Sequence, residues 1–237
     1  MSRPEPTVLA FDTSAAHCAA ALLKEGRIAA SRYEEMARGQ AESLFPTLEE
    51  LMGEAGLAWQ DLDAIGVGVG PGNFTGIRIS VSAARGLALS LGIPAIGINT
   101  FEAIFRISGR PPGRVAVFLP APKGSTFFQT FADGQPLGPP FLESDGLLRD
   151  PQWADGMNAV VGPGADGTCR RIATELGRAG KGPAPEALVV DGLNAQARAI
   201  AAMAGERIGS RNERPKPLYV RPVNAAPAHG PPPEMLP

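Results

Sequence analysis

The residues that could do chemistry fall in two short segments, each placed after an apolar run. Asp12, Thr13 and Ser14 form the first segment and follow the apolar residues 8–11. A carboxylate and two hydroxyls at the end of a strand can hold magnesium and phosphate. They can equally satisfy the backbone of a turn. These three residues alone leave both interpretations open.

The second segment is the glycine-rich loop 70–76, which separates a predicted strand from a predicted helix. Backbone N–H groups in such a loop lie at the positive end of the helix dipole and can receive an anion. The loop lacks the Walker A ending and the Gly-x-Gly-x-x-Gly spacing of a dinucleotide site. The dipole supplies about 0.3–1 kcal/mol, whereas millimolar binding needs about 4 kcal/mol.

A nucleotide site at this loop would therefore need donors from elsewhere in the chain or from a second protein. Gly70, Gly72 and Asn73 are its candidate residues, together with Asp12 and Thr13. A tight turn that lets the helix pack closely on the sheet is the alternative interpretation of the same loop.

The composition excludes several classes of protein. A net charge of −2 gives no global positive field for nucleic acid or an anionic membrane. His17 and His229 are the only histidines, so we expect no metal site and no catalytic histidine pair. Cys18 and Cys169 lie far apart, which fits a reducing compartment. Apolar runs of membrane-spanning length are missing, and we expect a soluble, cytoplasmic protein without membrane contact.

Hydrophobic patterning predicts alternating strands and helices in both halves of the chain. In the first half, we expect strands at 8–11, 18–23, 28–33, 64–70 and 94–98, and helices at 41–55, 77–91 and 101–107. In the second half, we expect strands at 115–119, 126–131, 159–161 and 187–190, and helices at 169–176 and 195–204. The pattern indicates an α/β protein whose two halves resemble each other.

The Pro-Pro-Gly sequence at 111–113 marks the predicted boundary between the halves. We expect a first lobe over 1–110 and a second lobe over 111–192. The last helix and the segment after it, 193–222, are expected to return to the first lobe. The proline-rich residues 223–237 are expected to be disordered.

The predicted helices 41–55 and 77–91 carry more apolar and small residues than one packed face requires. Packing of each helix against the sheet is one explanation. The other is an interface with a second subunit, in which exposed aromatic and methionine side chains act as anchors. The predicted interface residues are Phe45, Leu48, Met52, Phe74, Ile77, Arg78, Val81 and Ala84.

Four segments of the sequence resemble the TsaB (formerly YeaZ) family of bacterial tRNA threonylcarbamoyladenosine (t6A) synthesis. They are residues 8–14, the string Gly-Pro-Gly-Asn-Phe-Thr-Gly-Ile-Arg at 70–78, Gly-Leu-Ala at 86–88, and Pro-Leu-Tyr-Val-Arg at 217–221. The string at 70–78 is a specific signature. The resemblance is strong over 7–104 and weak from 113 until the Tyr219 segment.

The resemblance implies an actin-like (ASKHA, ribonuclease H-like) fold of two similar lobes and a subunit with no catalytic residues of its own. It implies pairing with the paralogous catalytic subunit TsaD through the helices at 41–55 and 77–91. With the ATPase TsaE, that pair transfers a threonylcarbamoyl group to adenosine 37 of ANN-decoding tRNAs. The subunit itself would need no cofactor, although ADP or ATP could lie at the partner interface. Alone it would form a homodimer, and it would meet tRNA only through the complex.

The paralogous TsaD enzymes hold a metal with a His-x-x-x-His motif, and this chain has Thr100 and Ile104 at the corresponding positions. Neither side chain can replace imidazole as a ligand. The chain also departs from the TsaB pattern. Gln40 stands where many members have histidine, and Pro120 and Pro122 stand where many have aspartate and arginine. These departures leave the role of the second lobe open.

Two enzymatic hypotheses remain as alternatives. The first is a small-molecule kinase or ATPase of the actin-like superfamily that uses Asp12 and the loop 70–76, with the segment 162–167 as its second phosphate loop. The second is a peptidase, whose triad would have to use His17. Tight binding of Mg-ATP by the isolated chain would favour the first hypothesis.

Overall fold

The computed structural model describes residues 5–143, 155–163, 167–179, 183–190, 194–210 and 213–220. The first sheet has the strand order β3-β2-β1-β4-β5. Its strands are β1 (Val8–Asp12), β2 (His17–Lys24), β3 (Arg27–Glu35), β4 (Ala64–Gly68) and β5 (Ala95–Ile98). β1 pairs antiparallel with β2 and parallel with β4, and β4 pairs parallel with β5.

Helices cover both faces of the first sheet, and its central strands β1 and β4 are therefore buried on both sides. On one face lie α1 (Gln40–Glu54) and α2 (Phe74–Leu91), whose inner side chains join a core with alternate residues of β1, β2 and β4. On the other face lies α5 (Gln196–Arg207), which contacts β1, β2 and β4. α3 (Thr100–Ile107) packs against α5 and contributes side chains to the core of the second sheet.

The second sheet repeats the pairing of the first. Its order is β11-β10-β6-β7-β8, with β9 paired to β7. The elements are β6 (Arg114–Pro120), β7 (Thr126–Ala132), β8 (Gln135–Pro136), β9 (Phe141–Glu143), β10 (Met157–Pro163), α4 (Thr168–Ala179) and β11 (Glu186–Val190). β6 pairs antiparallel with β7 and parallel with β10, as β1 does with β2 and β4. The predicted two-lobed actin-like fold is confirmed.

The predicted elements correspond to observed ones, with shifted ends. The structure adds the two short strands β8 and β9, which are too short to show a sequence period. β4 ends at Gly68, two residues before the predicted end, and α2 begins at Phe74, three residues before the predicted start. The predicted disordered tail at 223–237 lies outside the described residues.

Small residues bring α2 close to the end of β1. A Cβ at Gly76 would overlap the carbonyl oxygen of Thr13, and a Cβ at Gly72 would overlap that of Ser14. The Thr13 hydroxyl in turn donates to the Gly76 carbonyl at 2.7 Å. Backbone therefore packs against backbone at this point, which only glycine allows.

This packing predicts a large difference between two glycines of the same helix. Gly76→Ala should lower the free energy of unfolding by about 2–3 kcal/mol, because neither backbone can retreat from the added methyl group. Gly86 also lies in α2, but a methyl group added there would meet no atom within 4 Å. Gly86→Ala should therefore change stability by about 1 kcal/mol or less, in the stabilising direction. Urea unfolding of both variants measures the difference. Equal effects of the two substitutions would contradict the packing.

Candidate functional site

A buried polar cluster lies at the end of β1, where the sequence predicts a phosphate or magnesium ligand. The Asp12 carboxylate accepts hydrogen bonds from the Ser14 backbone N–H at 2.8 Å and the Ser14 hydroxyl at 2.8 Å. It is also bonded to His17 Nε2 at 2.9 Å and accepts from Gln196 Nε2 at 3.3 Å. All four residues are at most 2% exposed. The cluster thus joins β1, β2 and the start of α5.

The carboxylate of Asp12 therefore has no free edge for a ligand. A Cβ at Gly68 would overlap the same carboxylate, so the β4 backbone closes the remaining side. The Thr13 hydroxyl is buried and used by Gly76. Nucleotide binding by Asp12 and Thr13 stays a prediction, which this geometry does not favour. Their polar atoms instead satisfy the turn and the neighbouring elements, as the alternative interpretation expected.

The loop 70–76 caps the start of α2. The Asn73 side chain accepts from the backbone N–H groups of Thr75 and Gly76, at 3.0 and 3.3 Å. The Asn73 N–H donates to the Ser14 carbonyl. Three of the amides that a phosphate could use at the start of α2 are thus already bonded within the chain.

The remaining loop residues hold the loop against its neighbours. The Gly70 carbonyl accepts from the Thr100 N–H at 2.8 Å, and Gly72 approaches the Ser14 backbone. Nucleotide binding by Gly70, Gly72 and Asn73 likewise stays a prediction. Their conformation serves the close packing of α2 on β1.

A serine, a histidine and an aspartate meet in this cluster, but not in the order that a hydrolytic triad needs. The Ser14 hydroxyl donates to Asp12, at 2.8 and 3.1 Å to its two oxygens. His17 Nε2 is bonded to the same carboxylate. A nucleophilic serine must donate to the histidine, which the aspartate then orients. Here both side chains use the aspartate, and the Ser14 hydroxyl is buried.

Most of the predicted interface residues are in the core of the first lobe. Leu48, Met52, Ile77, Val81 and Ala84 are 0–3% exposed and pack against the sheet. The prediction is wrong for these five side chains, because the helical stripe that suggested an interface is the stripe that faces the sheet. Packing, the other explanation, accounts for them. A substitution such as Ala84→Glu would bury a charge in the core instead of testing an interface.

The outer surfaces of α1 and α2 have a different character, and we call their exposed residues the two-helix face. Phe45 is 43% exposed and Leu89 is 84% exposed, which is unusual for large apolar side chains. Apart from Glu54, which pairs with Arg32 of β3, the exposed residues of α1 include three acids, and those of α2 include two bases separated by small residues. They are Glu42, Glu49 and Glu50 on α1, and Arg78, Ser82, Arg85 and Gly86 on α2.

A residue that the site predictions missed, Tyr219, completes the exposed end of α2. Its ring lies 5.2 Å from the ring of Phe74, and its hydroxyl accepts from Arg78 Nε at 3.0 Å. Phe74 and Arg78 of the predicted interface remain accessible, half-buried and exposed respectively. The string at 217–221 indicated that this segment matters, but nothing in its spacing relates it to a helix 141 positions earlier.

The positions that differ from the related families have structural roles here. Thr100 begins α3, and Ile104 is buried in the core of the second lobe. The Gln40 side chain is buried and donates to the Met36 carbonyl at 3.1 Å. Pro120 and Pro122 are exposed beside the end of β6. Within the described ranges, no three His, Cys, Asp or Glu side chains are grouped so that they could hold a metal ion, and no helix has the length and apolarity to cross a bilayer.

Two mixed sheets of matching topology, with the end of β1 facing a Gly-Pro-Gly loop, define an actin-like protein of two lobes. The family model described as TsaD, tRNA N6-adenosine threonylcarbamoyltransferase, matches residues 31–125. The tRNA threonylcarbamoyladenosine biosynthesis protein TsaB of Escherichia coli K12 is 31% identical over 126 residues, which cover 52% of this chain and 54% of that protein. The chain thus spans about half the length of this relative.

Solved structures cover more of the chain. YeaZ from Pseudomonas aeruginosa superposes with a TM-score of 0.68 at 27% identity, over 90% of this chain and 99% of the other. A Pseudomonas aeruginosa protein described as similar to peptidase YEAZ gives a TM-score of 0.70 at 26% identity, over 91% and 100%. The chain is thus similar to proteins named TsaB in sequence and to structures named YeaZ in fold.

The buried cluster predicts that Asp12 supports the fold. Asp12→Ala should lower the free energy of unfolding by about 3 kcal/mol or more, because several buried donors lose their acceptor at once. Asp63 is exposed and accepts one backbone hydrogen bond, from the Thr7 N–H at 2.7 Å. Asp63→Ala should therefore change stability by about 1 kcal/mol or less. Chemical denaturation compares the two variants, and a stable Asp12→Ala protein would show that the carboxylate is available for another task.

Proposed function

We propose that this chain is a non-catalytic subunit of tRNA t6A synthesis. In this proposal it pairs with TsaD, and together with TsaE it supports threonylcarbamoyl transfer to adenosine 37 of ANN-decoding tRNAs in the cytoplasm. The names of its relatives support the pathway. The observation that carries the proposal is the uncovered two-helix face, where large apolar side chains and opposite charges lie outside the core.

The two-helix face lies in the part of the chain that matches the TsaD family model, residues 31–125. Two chains that both have the two-helix face can pair about an approximate two-fold axis, so that α1 of each faces α2 of the other. Acidic residues of one chain would then meet basic residues of its partner. The same symmetry would allow two copies of this chain to pair when TsaD is absent. The uncovered Phe45 and Leu89 side chains would be buried in either pair.

The buried cluster supports a subunit without its own chemistry. Asp12 would have to release Ser14, His17 and Gln196 before it could position magnesium. The amides at the start of α2 would have to release Asn73 before they could bind phosphate. Both requirements disfavour the kinase or ATPase alternative. Residues 164–166 of its second candidate loop lie outside the described residues.

Any nucleotide at a TsaB–TsaD interface would then need most of its ligands from the partner. No cofactor is required by this subunit in the proposal. The contacts with tRNA would likewise be made through the complex, since the chain has a net charge of −2 and no broad positive field.

The two-helix face predicts a specific loss of pairing on charge insertion. Phe45→Glu should weaken binding to TsaD by about thirtyfold or more, because an apolar anchor becomes a desolvated charge. Leu137 has the same 43% exposure but lies in the second lobe between β8 and β9, so Leu137→Glu should change binding by about twofold or less. Calorimetric titration with TsaD measures both, with melting curves to verify folding. Equal binding of Phe45→Glu and the wild type would place the contact elsewhere.

A reconstituted reaction tests the proposed division of labour. The purified chain alone, supplied with tRNA and a threonylcarbamoyl donor, should form no t6A. Addition of TsaD and TsaE should produce t6A, and omission of this chain should reduce the yield. Calorimetry of the isolated chain with Mg-ATP should show no binding tighter than about millimolar, since the loop and Asp12 are internally occupied. Micromolar Mg-ATP binding would favour the kinase alternative.

A further inference from the structure

The segment 213–220, which we call the C-terminal strap, contacts both lobes of the protein. The Leu218 N–H donates to the Val69 carbonyl at 2.8 Å, and the Leu218 side chain packs against the core beneath α1 and α2. Val220 packs against the core of the second sheet. Pro215 is buried and lies next to Gly97 at the edge of the first sheet. Alternate residues of the strap are thus fixed in two different cores.

Tyr219 lies between these two anchors and contacts the start of α2. Its hydroxyl accepts from Arg78 Nε at 3.0 Å, and its ring lies 5.2 Å from the Phe74 ring. The Arg78 guanidinium carbon lies 3.6 Å from the centroid of the Phe74 ring. Phe74, Arg78 and Tyr219 form what we call the arginine clamp. Cation–π contact and one hydrogen bond together fix the plane of the guanidinium.

The clamp leaves part of Arg78 available. Within the described ranges, neither Nη group of Arg78 has a hydrogen-bond or ion-pair partner. A free arginine on a helix surface samples many rotamers, and fixing it on binding costs conformational entropy. In the isolated chain, the contacts with Phe74 and Tyr219 already order the Arg78 side chain. A planar guanidinium whose two Nη groups are both available matches the two oxygens of a carboxylate in a bidentate pair.

We propose that the clamp presents Arg78 as the anchor for a carboxylate of the partner protein, and that Tyr219 is the residue that positions it. The inference rests on the proposed pairing with TsaD and names a contact within it. The partner carboxylate comes from an acidic side chain facing the start of α2. Two-fold pairing favours this chemistry, because the corresponding surface of this chain, on α1, carries Glu42, Glu49 and Glu50.

The test measures the affinity of the full chain for TsaD at about 0.15 M salt, by calorimetric titration. Tyr219→Phe removes only the hydroxyl and should weaken binding about tenfold. Arg78→Gln should weaken it at least as much, and the double variant should bind no more weakly than Arg78→Gln alone, because Tyr219 acts through Arg78. Tyr33 is the only other tyrosine and lies on β3. The matched control Tyr33→Phe should stay within about twofold of the wild type.

A second readout separates positioning from a general structural role. Binding of the wild type should weaken as salt is raised, and this salt dependence should be smaller in Arg78→Gln and Tyr219→Phe. Arg78→Lys keeps the charge but lacks the planar fork, so it should not restore wild-type affinity. It also provides the test if melting curves show that Tyr219→Phe does not fold.

The outcomes are distinguishable. If the wild-type chain does not bind TsaD, the proposed function is contradicted and the inference fails with it. If the wild type binds but Tyr219→Phe or Arg78→Lys binds equally well, only the inference is overturned. Additive losses from Tyr219→Phe and Arg78→Gln would also overturn it, because they would show that Tyr219 acts independently of Arg78.

Discussion

The burial of one carboxylate determines much of the first lobe. A buried charge is tolerated only where hydrogen bonds replace the lost water, and Asp12 finds them on three elements: the turn after β1, strand β2 and helix α5. The Gln196 hydrogen bond adds a polar contact to the apolar packing of α5 on the sheet, and Gly68 lies opposite the carboxylate, where no side chain fits. The end of β1 thus joins three elements of the first lobe through one carboxylate.

The glycine-rich loop next to it follows the same principle. Gly72 and Gly76 let the backbone of α2 approach the backbone after β1, and Asn73 supplies the acceptor that the first helical amides need. Three backbone N–H groups at the start of α2 are thus bonded within the chain. The outer surface of α2 has no such internal partner. Its exposed leucine and arginines, beside the exposed phenylalanine and acids of α1, give the first lobe one surface suited to a second protein.

Most of the fold could be predicted from the sequence, because it depends on local periodicity. Apart from the short β8 and β9, the strands of both sheets and the helices α1 to α5 lie near the positions that the sequence predicts. The candidate site was predicted less well, since a helical stripe shows which residues share a face but not what that face meets. Ile77, Val81 and Ala84 share one stripe, and that stripe faces the sheet. Likewise, Asp12 and Thr13 have the residue types of a phosphate site. The hydrogen bonds that occupy their side chains, however, involve Gln196 and Gly76, which are far away in the chain. Tyr219 could not be related to Arg78 for the same reason.

The C-terminal strap has a consequence for the order in which the molecule matures. Ribosomes complete α1 and α2 long before they reach Tyr219, which follows its helical contact by 141 positions. A growing chain can therefore form α1 and α2 while the Arg78 side chain still samples several rotamers. Only when the strap has crossed from one core to the other does the guanidinium become rigid. Under the proposed pairing, late synthesis of this short segment would delay recognition until both lobes exist, so that an unfinished subunit would compete poorly for the same companion.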